Sequence, residues 1–194
     1  MGLRFFCPRL YCFRRRKGEN MKHLLYFFFL LLLAGCSSTD QPEIPAVTKF
    51  DIHRYTGTWY EIARLPNFFE KGLQNVSAEY TLLPDGMIRV VNRGVKNGKE
   101  KSISGFARFA GSANTGELEV SFFRPFYSPY RVIRLDPGYT VACVMGKNTS
   151  FAWILARTPE LPPEKLVEAV NFLRKNGFAV EKLIYPAQEK SKSP

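Results

Sequence analysis

Histidine is nearly missing from this 194-residue chain, with His23 and His53 the only two. Nothing in the sequence shows metal-ligand spacing or a pair of carboxylates placed for acid–base work, so hydrolytic and metal-dependent chemistries lack their usual residues. Cysteine is scarce as well: there are four, and Cys7, Cys12 and Cys36 all fall in the first 36 residues. Cys143 is left without a partner, so no disulfide staples the remainder, which must stand on its own core. Long apolar runs are absent too. The longest, Leu24–Ala34, has 11 residues and would make a helix of only ~16 Å, about half the hydrocarbon thickness of a bilayer. After residue 17 there is also no Lys/Arg cluster. The net charge of +11 is concentrated at the start: residues 1–35 hold seven basic residues and one acidic, leaving 21 basic against 16 acidic, a net of +5. Nucleic-acid binding therefore loses its electrostatic basis, while a weak attraction to anionic lipid headgroups remains.

The short apolar run has the length of a signal-peptide core. Met21-Lys22-His23 gives it a basic start, and Leu33-Ala34-Gly35 supplies small residues at its end. Cys36 follows directly, and Leu-Ala-Gly-Cys resembles the lipobox of bacterial lipoproteins, whose cysteine is lipidated before cleavage. Ser37-Ser38-Thr39-Asp40-Gln41-Pro42 then reads as a polar tether. Residues 1–20, with Arg14-Arg15-Arg16-Lys17, make an overlong basic region that a start at Met21 would remove. The expected division is residues 1–35 as extension and cleaved signal, 36–49 as lipidated Cys36 and tether, 50–186 as one folded domain, and 187–194 as a disordered tail. Ser37 rather than Asp after the lipidated cysteine implies, by lipoprotein sorting rules, the outer membrane.

The folded part reads as all-β. Short aromatic and β-branched runs cover Trp59–Leu65, Val76–Leu83, Met87–Gly94, Ser102–Ala110, Glu117–Phe123, Tyr130–Leu135, Tyr139–Met145 and Phe151–Ala156. Between them stand Pro84-Asp85-Gly86, Asn97-Gly98, Asn114-Thr115-Gly116, Asp136-Pro137-Gly138 and Gly146-Lys147-Asn148, all turn chemistry. Eight strands joined by short links predict an antiparallel up-and-down β-barrel. Pro162-Pro163 opens one helix with the stripe Leu166, Val167, Val170, Phe172 and Leu173, and Gly177 ends it. This C-terminal α-helix is expected to pack outside the barrel, and Val180–Tyr185 to form one more short strand. With charged residues facing water, strand parity turns Val76, Ala78, Tyr80, Ile88, Val90, Asn92, Gly105, Ala107, Phe109, Leu118, Val120 and Phe122 inward. Ala78, Gly105 and Ala107 are small and leave volume. Parity alone leaves open whether the barrel is hollow or filled.

Two segments carry a family resemblance. Phe50-Asp51-Ile52-His53-Arg54-Tyr55-Thr56-Gly57-Thr58-Trp59-Tyr60-Glu61 resembles the first lipocalin motif, and Phe151-Ala152-Trp153-Ile154-Leu155-Ala156-Arg157-Thr158-Pro159 the last-strand motif. Asn75–Tyr80 and Val120–Tyr127 extend the similarity to the bacterial, apolipoprotein D-like branch, over about residues 50–186. Of the middle Thr-Asp-Tyr motif, Leu135-Asp136-Pro137 keeps only the Asp. The resemblance implies the calycin/lipocalin barrel, with Gly57, Trp59 and Arg157 structural and the guanidinium packed on the indole. It implies ligand contacts at Tyr80, Asn92 and Trp153, to which parity adds Ala78, Val90, Phe109 and Phe122.

The function implied is a non-catalytic carrier at the outer membrane, storing or moving a fatty acid, lysophospholipid or similar amphiphile for membrane lipid maintenance. No cofactor or metal is expected, and the family analogy admits a homodimer. Two other readings stand beside it: a thiol-dependent enzyme using Cys143, should that strand residue point inward, and a scaffold with a filled barrel. Arg124–Tyr130, with three aromatics and a cation, reads as a loop that rims the mouth, touches the bilayer, joins a partner copy or simply packs.

Overall fold

The computed structural model describes residues 44–189. Cys36, everything before it, residues 37–43 and residues 190–194 lie outside the described residues.

The strands are β1 Gly57–Arg64, β2 Gln74–Leu82, β3 Ile88–Lys96, β4 Lys99–Phe109, β5 Glu117–Phe123, β6 Phe126–Leu135, β7 Val141–Met145 and β8 Ala152–Ala156. Each pairs antiparallel with the next, and β1 also pairs with β8, so the sheet closes on itself in simple up-and-down order. Short helix α1 spans Ile52–Tyr55, and α2 spans Pro163–Lys175.

The turn residues act as their chemistry dictates. Asn97 and Gly98 both take positive φ (53° and 70°), which a tight two-residue hairpin requires. Pairing therefore continues to Lys96↔Lys99, and β4 starts three residues before the expected Ser102. Asp136, the surviving residue of the middle motif, accepts hydrogen bonds from Thr140 N, Val141 N and Thr140 Oγ1 and so holds the β6–β7 turn. Burial alone would raise its pKa, but the bonds from Val141 and Thr140 outweigh that and hold it below its ordinary value. Helix α2 closes with Gly177 N bonded to Arg174 O and Phe178 N to Leu173 O, the pattern its Gly177 signalled.

Two apolar clusters share the strands. One fills the barrel and includes Phe50, Tyr55, Trp59, Tyr80, Val90 and Val144. The other lies between the outer surface and α2 and includes Ala63, Ile133, Cys143, Ile154, Ala169 and Leu173. β7 is apolar at every position because its two faces serve different clusters. Within α2 the buried residues are Ala169 and Leu173, flanked by Leu166, Val170 and Phe172, whereas Val167 is exposed. Val167 stands about 100° around the helix from Leu166, outside the contact stripe.

Four expectations need correction. Residues 44–49, assigned to the tether, belong to the folded body: Ile44 is buried, and Val47 exchanges backbone bonds with Gly116 and Val132. Apolar residues at 44 and 47 give this stretch something to bury. Val180–Tyr185 is not a strand. It forms a 3₁₀ turn at Val180–Lys182 and a single bridge, Arg64↔Ile184, because a closed barrel leaves no long edge to pair with. Ala187 and Gln188 are held, not loose: β1 pairs with β2 only through Gly57–Tyr60, and the C-terminal segment fills the gap beyond. There Asn75 N donates to Ala187 O, and Gln188 Nε2 donates to both Glu61 O and Val76 O. Lastly, Arg124–Tyr130 is not a long loop. Arg124-Pro125 makes a tight link, and β6 already begins at Phe126.

Candidate functional site

Links 83–87, 110–116 and 136–140 meet α1 at one end of the barrel, and 65–73, 97–98, 124–125 and 146–151 surround the other. The first end is sealed. Trp59 Nε1 donates to Tyr55 O at 2.8 Å, and Arg157 lies 4.0 Å above the Trp59 ring. The same guanidinium donates to the carbonyls of Arg54, Tyr55, Thr58 and Tyr139, tying α1, β1 and the β6–β7 turn together. Gly57 takes φ +92°, and a Cβ there would stand 3.3 Å from Arg157 Nη1, so glycine answers both to conformation and to space. The expected structural role of Gly57, Trp59 and Arg157 is thereby given a geometry.

Above this seal, three phenols join across the barrel. Tyr130 Oη lies 2.7 Å from Tyr55 Oη and 2.9 Å from Tyr80 Oη. Burial pushes all three above the ordinary phenol value, Tyr80 to about 12, so they act as neutral hydrogen-bonding groups.

Next comes a cavity of about 120 Å³. Its walls are apolar: Val76, Ala78, Val90, Ala107, Leu118, Val120, Phe122 and Leu155, with Tyr80 and Tyr130 below. Asn92, Trp153, Glu61 and Glu70 add polar atoms. Of the residues expected to meet a ligand, Tyr80, Asn92, Trp153, Ala78, Val90 and Phe122 line this cavity together. Phe109 does not. It faces inward but sits at the sealed end, edge-on to Phe50 at 6.5 Å. Gly105 does not leave volume either: a Cβ there would lie 2.4 Å from Ser121 O and 2.7 Å from Phe122 Cδ1, so the missing side chain lets the Phe122 ring press against β4. The barrel is thus partly filled and partly hollow.

Four lining residues depart from the sequence expectations: Tyr130, Glu61, Glu70 and Ser77, the last expected to face water beside Glu79. Tyr130 stands where the loop Arg124–Tyr130 and the strand run Tyr130–Leu135 overlap in the sequence, so its direction had no parity to fix it. Glu61 shares the parity of Trp59 on β1, a signal that was available before the bulge between Glu61 and Ala63. Glu70, in the segment 65–73, has no periodicity to reveal it. That segment is latched over the cavity. Glu70 Oε2 accepts from Trp153 Nε1 at 2.9 Å and Asn67 Nδ2 at 2.5 Å, and Arg64 Nη2 donates to Glu70 O at 2.8 Å. Glu61 and Arg64 form a buried pair at 2.5 Å. Burial, then the neighbouring Glu70, pushes the Glu61 carboxyl up to about 8 against the opposing pull of Arg64.

Cys143 lies elsewhere. It is fully buried in the outer cluster beneath α2, while Ala142 and Val144 take the inward positions of β7. Burial pushes its thiol up to about 12, far from a thiolate at neutral pH. Cys143 is thus a buried core residue, and the alternative that needed it to point into the barrel does not have that geometry. Among the described residues no group of three or more His, Cys, Asp or Glu is placed to hold a metal ion.

A closed antiparallel barrel, sealed at one end by an Arg-capped indole and holding a small apolar cavity toward the other, defines a class of small-molecule binding proteins. The profile of the family described as "Lipocalin-like domain" matches residues 50–188. "Outer membrane lipoprotein Blc" of Citrobacter freundii is 43% identical over 160 residues, covering 81% of this chain and 90% of that protein. Apolipoprotein D of Mus musculus is 33% identical over 174 residues, covering 80% and 90%. Among solved structures, insecticyanin of the tobacco hornworm Manduca sexta superposes with a TM-score of 0.62 at 22% identity, covering 77% of this chain and 87% of that one. The chain belongs to the lipocalin family.

Proposed function

We propose that the protein is a non-catalytic, lipid-anchored lipocalin of the outer membrane that holds one amphiphile, such as a fatty acid or lysophospholipid, and exchanges it with the adjacent leaflet. The observation that carries this reading is the apolar cavity on which Tyr80, Asn92 and Trp153 converge. Its relatives named outer membrane lipoproteins support the location, and in this reading Cys36 supplies the anchor. The cavity of about 120 Å³ is smaller than the ~300–1,000 Å³ of pockets that enclose a drug-sized ligand. It accommodates one part of an amphiphile, and the rest of a long chain passes out through the open end.

Large apolar side chains reach solvent at that end. Phe68 and Phe69 are 87% and 80% exposed in the segment 65–73, and Phe123 and Phe126 are 70% and 78% exposed beside the β5–β6 link. Four exposed rings around the opening support loading from a lipid surface rather than from bulk water. Burying a chain from that surface gains roughly 0.8 kcal/mol per methylene relative to water.

Native mass spectrometry of the protein purified from its own membranes, followed by lipid extraction, tests the reading. One amphiphile per chain is the expected result, and the same spectra report whether two chains associate. Protein that carries no amphiphile, and takes none up from added lipid, would show that the barrel is a scaffold rather than a carrier.

A further inference from the structure

The charged side chains lining the cavity are of one sign. Among the described lining residues there are two carboxyls, Glu61 and Glu70, and no lysine or arginine. Asn92 adds a side-chain Oδ1 that is sealed from solvent and meets no donor. A buried acceptor without a donor costs free energy, and it marks a place where a ligand can supply one. Arg64 is the cation against these carboxyls, and it is already engaged. Its Nη1 binds Glu61 Oε1 at 2.5 Å, and its Nη2 binds the carbonyls of Glu70 at 2.8 Å and Leu73 at 3.3 Å. Lys71, Lys99 and Lys101 belong to the open end but are exposed and outside the lining. Two carboxyls thus line the cavity beside one guanidinium, which meets the carboxyl of Glu61 and only the backbone of Glu70.

From this arrangement, and resting on the carrier reading above, we infer that the cavity selects an amphiphile with a primary ammonium headgroup over one ending in a free carboxylate. An ammonium offers three donors and one positive charge, and Glu61, Glu70 and Asn92 Oδ1 offer acceptors in one small enclosed space. A carboxylate placed there would add a negative charge beside Glu70, in surroundings where like charges are poorly screened, and would give Asn92 Oδ1 nothing to accept.

A proton on Glu61 balances the charge of the site. The groups against Glu61 are Arg64 on its own strand and Glu70 from segment 65–73; Tyr80 of β2 also feels Glu70 but stays neutral, its phenol pushed up to about 12. With Glu61 pushed up to about 8, chiefly by burial and then by Glu70, this carboxyl is protonated at neutral pH. An incoming ammonium takes over the role of that proton, so its binding releases a proton to solvent. A carboxylate ligand brings no charge that would displace it.

The test is isothermal titration calorimetry of the whole protein at about pH 7, where alkylamines are protonated, in two buffers of different ionisation enthalpy. The probes are decylamine and decanoate, matched in chain length. Decylamine is expected to bind about tenfold tighter and to release close to one proton, and decanoate to release none. Glu70→Gln is expected to bring the two affinities to within about threefold. Decanoate binding as tightly as decylamine in the unmodified protein would overturn the headgroup inference while leaving the carrier reading intact. Failure of both probes to bind would overturn the carrier reading and this inference with it. The comparison of probes on the unmodified chain needs no variant to fold.

Discussion

Arg157 shows how much one side chain holds. Its guanidinium covers the Trp59 indole and donates to four backbone carbonyls drawn from three elements. A cation–π contact is worth about 0.5–2 kcal/mol, and hydrogen bonds from a charged donor add to it. Arg157→Ala is therefore expected to cost about 2–4 kcal/mol in urea unfolding, and Arg157→Lys to recover little, since an ammonium cannot span the same carbonyls. Glu61 makes a different claim. Its folded pKa of about 8 lies above the ordinary carboxylate value, so the folded state binds the proton more tightly than the unfolded chain. Stability is then greatest at mildly acid pH and falls as pH rises from about 4.5 through about 8. Glu61→Gln should flatten that decline in unfolding midpoints measured between those limits, and a variant with an unchanged slope would remove Glu61 as its source. Trp59 and Arg157 were legible in the sequence because a motif carries them. Glu70 was not, because its place depends on how segment 65–73 folds back onto Trp153, and no local pattern encodes that.

At the scale of elements, parity did most of the work. Where charged residues fix one face of a strand, as Arg89 and Arg93 do on β3 or Glu117 and Glu119 on β5, the inward set follows, and the structure places Val90, Asn92, Leu118 and Val120 along the cavity. Parity failed to separate depth from direction: Phe109 faces inward yet belongs to the sealed end. It also gave nothing for the C-terminal segment, whose order comes from filling the gap between β1 and β2. Gln188 holds the free carbonyls of Glu61 and Val76 there. Gln188→Ala should lower stability by about 1–2 kcal/mol and increase amide exchange at the upper ends of β1 and β2; exchange unchanged at those sites would show that the segment is only resting on the barrel. The β1–β2 segment carries its own expectation. If Phe68 and Phe69 mediate contact with lipid, replacing both with serine should slow ligand uptake from vesicles severalfold, with little change in affinity for a dissolved amphiphile. Equal loss of both would place the rings in the binding site itself.

For the molecule as a whole, the working parts are segregated. The indole, guanidinium and three joined phenols make one end rigid, α2 and Cys143 form a second core outside the sheet, and the cavity lies toward the end ringed by exposed phenylalanines. Residues 1–36, with +6 of the net charge of +11 and three of the four cysteines, lie outside the described residues. Trp153 reports directly on an amphiphile in the cavity, because its indole lines the cavity and donates to Glu70 of the covering segment. The most direct measurement is a fluorescence titration with a single-chain amphiphile, run beside Trp153→Phe and the cavity-filling Ala78→Phe. A saturable change in emission at one ligand per chain is expected, lost in Trp153→Phe and weakened about tenfold or more in Ala78→Phe. Emission that stays constant in the unmodified protein, or a change that survives Ala78→Phe undiminished, would contradict binding in the cavity.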